Sequence, residues 1–262
     1  MKEYKSSFYK KPIKVENIEW EILVKIYTKQ NKEIIYSWYD LIDKTSYSPY
    51  IKNAILSSFL LDIPKNILIL GFWAWSYAKY FKDYLWEKIN IVWVEIDDTM
   101  INIAKNEFNL ENINYFNLDY LEALKILNNK NKKFDIIFID LYDEDSKIPT
   151  SLNNTKNIKN IIQLLNKNWE LIVNFANYKE NYSYYKEIEE KIIQNLINKE
   201  YFYLLNWEND YWNVIWVYNL KEKFDKEKLI LSYLEKVQNW LINYDSNLIT
   251  KIFLKNNINM IN

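Results

Sequence analysis

The chain has 262 residues, 49% of them hydrophobic, with a formal net charge of −1 and neither histidine nor cysteine. That length predicts one α/β domain with a small appendage. The missing residues exclude disulfides, cysteine nucleophiles and Ser-His-Asp chemistry and remove the commonest metal ligands, so no metal is expected and acid–base work falls to Asp, Glu, Lys or Tyr.

No basic run marks a nucleic-acid partner. No stretch is long and apolar enough to span a membrane, and the start Met1-Lys2-Glu3-Tyr4-Lys5 lacks a signal-peptide apolar region, so a cytoplasmic protein is expected. In chain order, residues 1–16 are polar and read as loosely ordered. Two β-rich runs, 18–28 and 33–39, read as a hairpin, which makes 1–47 a small N-terminal β appendage. Ser48-Pro49 opens a helix through residue 61, with Pro49 in its first turn, and Pro64 closes it. Strands are predicted at 67–70, 89–95, 113–117, 134–139 and 170–175. Helices are predicted at 76–85, 98–108, 120–128, 153–165 and 182–198. Repeated βα units predict a Rossmann-like, doubly wound, mostly parallel sheet. Strands 200–206 and 212–219, around a loop at 207–211, add a terminal antiparallel hairpin. That makes seven strands in a main domain over 48–222. A helix at 225–242 and an Asn-rich tail complete 223–262.

The turn after the first parallel strand, Gly71-Phe72-Trp73-Ala74-Trp75-Ser76, holds the chain's single glycine and two of its eleven tryptophans. Average usage of about 7% glycine predicts roughly 18. Trp86 lies between a helix and a strand. Trp169 follows Leu164-Leu165-Asn166-Lys167-Asn168, where a helix end wants glycine, and Trp207 falls in the hairpin loop. A tryptophan-rich core accounts for Trp93 and Trp216, inside strands, but not for these loop positions. A genetic code that reads UGA as glycine, translated with a table that reads it as tryptophan, produces the pattern. We read many or all of these tryptophans as standing for glycine. Eleven added to one gives 12 glycines, and residues 71–75 become Gly-Phe-Gly-Ala-Gly. As written, the indoles of Trp73 and Trp75 are expected to fill space meant for a ligand.

Read as G-x-G-x-G, residues 71–75 look like the first motif of S-adenosylmethionine-binding proteins. Glu95, ending the second strand in Val94-Glu95-Ile96-Asp97, stands where a ribose diol is held. Asp97 and Asp98 precede a helix and read as caps, Asp98 the more so. Asp119 ends Asn117-Leu118-Asp119, at either an adenine amino group or a helix N-cap. The candidate cofactor-binding set is therefore Gly71, Trp73, Trp75, Glu95, Ile96 and Asp119. Asp140 follows the fourth strand directly and is expected to point into the cleft. With Asp143 it forms a D-x-x-D pair that can hold an amine with one carboxylate and take its proton with the other. The alternative for this stretch is a solvated acidic loop.

Through these motifs, together with Phe134-Asp135-Ile136-Ile137-Phe138-Ile139-Asp140-Leu141-Tyr142-Asp143, Ile148-Pro149-Thr150-Ser151-Leu152 and the run from Leu165 to Asn174, residues 15–219 resemble the spermidine/spermine synthase family. The resemblance implies an N-terminal β-domain before a Rossmann-like domain. It implies transfer of an aminopropyl group from decarboxylated S-adenosylmethionine to a polyamine such as putrescine. It matches Asp140 to the catalytic aspartate, Asp143 to its amine-binding partner, Glu95 to the ribose ligand and Asp119 to the adenine ligand. The family's Leu-Asp-Gly and Gln signature is not recognisable around Tyr39 to Asp43, and Tyr50 is followed by Ile51-Lys52 where His-Glu belongs. Two other readings stay open, an S-adenosylmethionine-dependent small-molecule methyltransferase and a non-catalytic adenosyl-binding protein. The partner expected is a small amine, and a homodimer is compatible.

Overall fold

The structure, a computed structural model, describes residues 1–8, 12–27, 33–46, 48–58, 64–71, 75–85, 89–143, 147–196, 200–205 and 213–219. The expected loop at 207–211, the helix at 225–242, and Trp73, Trp86 and Trp207 lie outside these residues.

The main sheet has seven strands. They are β6 (Asn66–Leu70), β7 (Asn90–Val94), β8 (Asn114–Phe116), β9 (Phe134–Ile139), β10 (Leu165–Ala176), β11 (Glu200–Leu205) and β12 (Asn213–Asn219). Their order is β11-β12-β10-β9-β6-β7-β8. Parallel pairing joins β10, β9, β6, β7 and β8, and β12 runs antiparallel between β10 and β11. This is the doubly wound sheet with a closing hairpin expected from the βα alternation. The central strands are mostly apolar because both faces are covered, the buried Asp135 of β9 being satisfied by the Lys65 and Asn66 N–H groups and Asn166 Nδ2. Ile67 and Ile69 join one core cluster and Leu68 and Leu70 the other. On the first face lie α1 (Pro49–Ser57), α2 (Trp75–Leu85) and α3 (Asp98–Phe108). On the second lie α4 (Tyr120–Asn129), α5 (Thr155–Ile162) and α6 (Tyr182–Asn195).

The N-terminal part is a five-stranded antiparallel sheet, in the order β1 (Lys2–Tyr4), β2 (Ile13–Ile18), β3 (Glu21–Tyr27), β4 (Glu33–Asp40), β5 (Thr45–Ser46). The expected hairpin is its centre. Residues 1–16, read as loosely ordered, instead supply β1 and β2. Strand β1 is the polar edge strand, while β2 pairs on both sides and buries Ile13 and Val15 on its inner face. A second correction concerns Trp169. Helix α5 ends at Ile162, well before residue 165, and Trp169 lies within β10 where pairing with β9 shifts register between Leu165 and Glu170. The apolar pattern is there, but the chain re-enters the sheet through a bulge rather than a helix cap. Among the described residues, positive φ falls on Glu19, Lys44, Asn109, Asn131, Asn177 and Gly71. Asparagine tolerates that conformation best after glycine.

Candidate functional site

The strand order reverses between β6 and β9, and ligands of open α/β sheets bind outside the carboxyl ends at such a point. Gly71 ends β6 there with φ +98. An added Cβ meets the Asp140 carbonyl oxygen at 2.3 Å and its carbon at 2.7 Å. Only a glycine lets the two strand ends approach this closely. The Asp140 N–H donates to the Leu70 carbonyl at 2.8 Å and the Gly71 N–H to the Val94 carbonyl at 3.0 Å. The sheet is thus held together up to the rim.

A cavity of about 240 Å³ opens at this edge. Gly71, Glu95, Ile96, Asp119 and Asp143 line it, with Leu118, Leu141 and Tyr142 among the walls. Five of the residues expected at the site therefore meet around one space. Glu95 is only 5% exposed, and its Oε1 accepts the Asp97 N–H at 2.8 Å. Burial pushes its carboxyl up to about 8, against the pull of that hydrogen bond. Asn117 donates from Nδ2 to the Glu95 and Ile96 carbonyls, at 3.1 and 3.0 Å, and so fixes the backbone that carries the carboxylate. Ile96, 49% exposed, adds an apolar surface to the same cavity. Asp119 caps α4 by accepting the Leu121 N–H at 2.8 Å while also facing the cavity, so both of its readings hold geometrically. For α3 the cap is Asp97, accepting the Thr99 N–H, and Asp98 is the first helical residue, a correction to the expected assignment. The apolar walls and the buried carboxylate at the rim suit a nucleoside with a free diol.

Asp140 departs from expectation. It follows β9 directly but is 0% exposed and is not part of the cavity wall. Its Oδ1 accepts the Asn174 Nδ2 at 2.8 Å, while Oδ2 is buried with no hydrogen-bond partner. Burial pushes its carboxyl up to about 7, and the Asn174 hydrogen bond opposes this. The Tyr142 hydroxyl donates to the Asn174 carbonyl at 2.5 Å and accepts the Ala176 N–H at 2.9 Å. Burial, and then the charge of Asp140, hold the phenols of Tyr50 and Tyr142 above the ordinary tyrosine value. Asp143 does reach the cavity. Its Oδ1 accepts the Lys147 N–H at 3.0 Å.

Trp75 does not fill this space. It opens α2, is 1% exposed and packs against Phe108 at 5.3 Å between ring centroids, within the core. The indole points into the α2–α3 interface because a helix's first residue has an inward face available there. Trp93 is also core, and its Nε1 donates to the Gly71 carbonyl at 2.6 Å. Sequence reasoning missed Asn174, Tyr142 and Phe8. Asn174 carried a signal, a polar residue ending the apolar run Leu171–Ile172–Val173. Phe8, a half-buried residue on the cavity wall, carried none. Among the described residues no group of acidic side chains is placed to hold a metal, and no helix is long and apolar enough to cross a membrane.

No family model and no curated protein matches the sequence. The fold is shared with solved structures. Human methyltransferase-like protein 13, solved with SAH, superposes with a TM-score of 0.65 at 17% identity, over 76% of this chain and 94% of that one. A probable spermidine synthase from Corynebacterium glutamicum gives 0.69 at 12% identity, over 96% and 93%. The spermidine synthase of Thermotoga maritima gives 0.60 at 14% identity, over 96% and 84%. At these identities the likeness establishes a Rossmann-like, methyltransferase-type fold.

Proposed function

We propose that the chain is an aminopropyltransferase of the spermidine-synthase kind, moving an aminopropyl group from decarboxylated S-adenosylmethionine to a polyamine. The observation that carries this reading is the orphaned Oδ2 of Asp140. A buried carboxyl oxygen without a partner is costly, and an amine beside it relieves that cost. In this reading Glu95 accepts the ribose hydroxyls, Asp119 stands at the adenine end and Asp143 anchors the far end of the acceptor. Asp140 orients the attacking nitrogen and takes its proton. The new C–N bond forms as the C–S bond breaks, and the adenosyl thioether leaves neutral. Methyl transfer is the second reading, favoured by the position of Asp140 off the cavity wall. A non-catalytic adenosyl-binding protein is the third.

Offering the chain S-adenosylmethionine and its decarboxylated form, each with a panel of di- and polyamines, and weighing the products separates all three. The expected product is an aminopropylated amine from the decarboxylated donor only. A methylated amine moves the second reading ahead, and binding without either product supports the third.

We also infer that tryptophans at turn positions stand for glycine. Trp169, at the register shift of β10, supports this, since glycine within a strand often marks a bulge. Trp20, 60% exposed in the two-residue loop Glu19–Trp20 joining β2 to β3, does not, because the positive φ of that loop falls on Glu19. In the coding DNA the eleven tryptophan codons are expected to be UGA and the Gly71 codon a standard glycine codon. UGG at positions 73 and 75 refutes the idea.

A further inference from the structure

The strand that opens the chain does more than edge the small sheet. The β1 strand is tied to the C-terminal turn of α3, where Glu107 is met by the Lys2 Nζ at 2.8 Å, the Tyr4 hydroxyl and the Asn17 Nδ2 at 3.3 Å. The next residues are tied to the other end of the same helix. The Thr99 hydroxyl donates to the Lys5 carbonyl at 3.1 Å, and the Ser6 hydroxyl donates to Asp97 Oδ2. Asp97 is the residue whose N–H holds Glu95. Ser6 Oγ then accepts the Phe8 N–H at 2.9 Å, which turns the chain and puts Phe8 on the cavity wall with Glu95 and Ile96.

We propose that Phe8 is a ligand-contacting residue, covering the nucleoside end of the cavity, and that Ser6 is the positioning residue that delivers it. This rests on the adenosyl-binding reading and adds to it a wall from outside the Rossmann-like domain. An aromatic face is suited to a purine or to the apolar side of a ribose, and the exposed Ile96 offers a second apolar surface in the same cavity. The contact is to the nucleoside rather than to the sulfur end, because Ser6 and Asp97 anchor Phe8 beside Glu95.

The test is calorimetric titration of adenosine and of 5′-methylthioadenosine into the full chain, prepared both with Trp73 and Trp75 present and as the Trp73→Gly, Trp75→Gly double variant. Phe8→Ala is expected to weaken both ligands by the same factor, about 5-fold or more, as loss of an aromatic stacking face does. Phe8→Tyr keeps the affinity. Ser6→Ala gives a smaller, equal loss for both ligands, read well below a melting temperature that falls because the buried Asp97 Oδ2 loses its donor. Ser6→Thr, which keeps the hydroxyl, restores binding, and Phe8→Ala melts close to the parent. If the parent binds and Phe8→Ala binds equally well, the proposal is overturned while the adenosyl-binding reading stands. A loss confined to 5′-methylthioadenosine overturns the assignment to the nucleoside end. If neither preparation of the parent binds either ligand, both the proposal and the reading beneath it fail.

Discussion

Asp140→Asn is expected to lower turnover about 10²–10⁴-fold, the usual cost of removing a positioned base, while leaving adenosyl affinity near the parent value. The amide keeps the shape of the carboxyl and its contact with Asn174 but cannot accept a proton. In the proposed reading the nucleoside contacts lie elsewhere, at Glu95 and the cavity walls, so Glu95→Gln should do the reverse and weaken the donor first. Burial raises the Asp140 carboxyl from 3.8 to about 7, so its basic form, and with it the parent's rate, should rise with pH and level off above that value. The same shift makes a prediction about stability. The folded protein holds this proton more tightly than the unfolded chain does, so its contribution is fully present below 3.8 and is lost as pH climbs through about 7. Asn carries no such ionisation. The variant's melting temperature relative to the parent should therefore increase between pH 4 and pH 8. A variant that turns over amine at the parental rate refutes the assigned base, and a pH-independent difference in melting refutes the buried ionisation.

Gly71→Ala is expected to cost about 2–5 kcal/mol, combining the strain of a positive φ with the penalty of overpacking. The methyl would lie 2.3 Å from the Asp140 carbonyl oxygen and 3.0 Å from the Leu141 Cα. These are backbone atoms of the adjoining strand end, which cannot swing aside as a side-chain tip can. Relief requires β6 and β9 to part at their carboxyl ends, and that moves Asp140 together with the Leu141–Asp143 side of the cavity. Denaturant titration should show a lower midpoint with an unchanged slope, and adenosyl binding should fall with it. An alanine variant that unfolds and binds like the parent shows that the turn has slack.

The lone glycine thus has a tertiary reason that its sequence neighbourhood hints at but does not contain. The apolar run before it marks a strand buried on both faces, and such runs at β6, β7 and β9 are legible because nearly every residue in them is apolar. The Asp97 and Asp119 caps were visible for a similar reason, since a short carboxylate before a periodic stretch has a local job. Which of Asp97 and Asp98 takes it depends on where the backbone first turns helical, and that is settled by packing. The cavity's floor was readable in outline, as Gly71, Glu95, Asp119 and Asp143 all sit at strand ends or in the turns beyond them.

Whether a strand-end side chain faces the cleft or the core was decided only by the folded chain. Asp140 is enclosed because Gly71 packs on its backbone, Asn174 of β10 binds its carboxyl and two tyrosines lie beside it, one of them from α1. Trp75 turns inward because Phe108 of α3 offers a partner. Strand β1 is too short and too polar to declare itself, and exists because β2 pairs with it and Glu107 anchors it. Local chemistry along the chain therefore settled the alternation of elements and the positions of the charged candidates. Burial, partners and the arrival of Phe8 come from contacts between segments some ninety residues apart, as Ser6 is from Asp97, and no local pattern encodes a pairing over that separation.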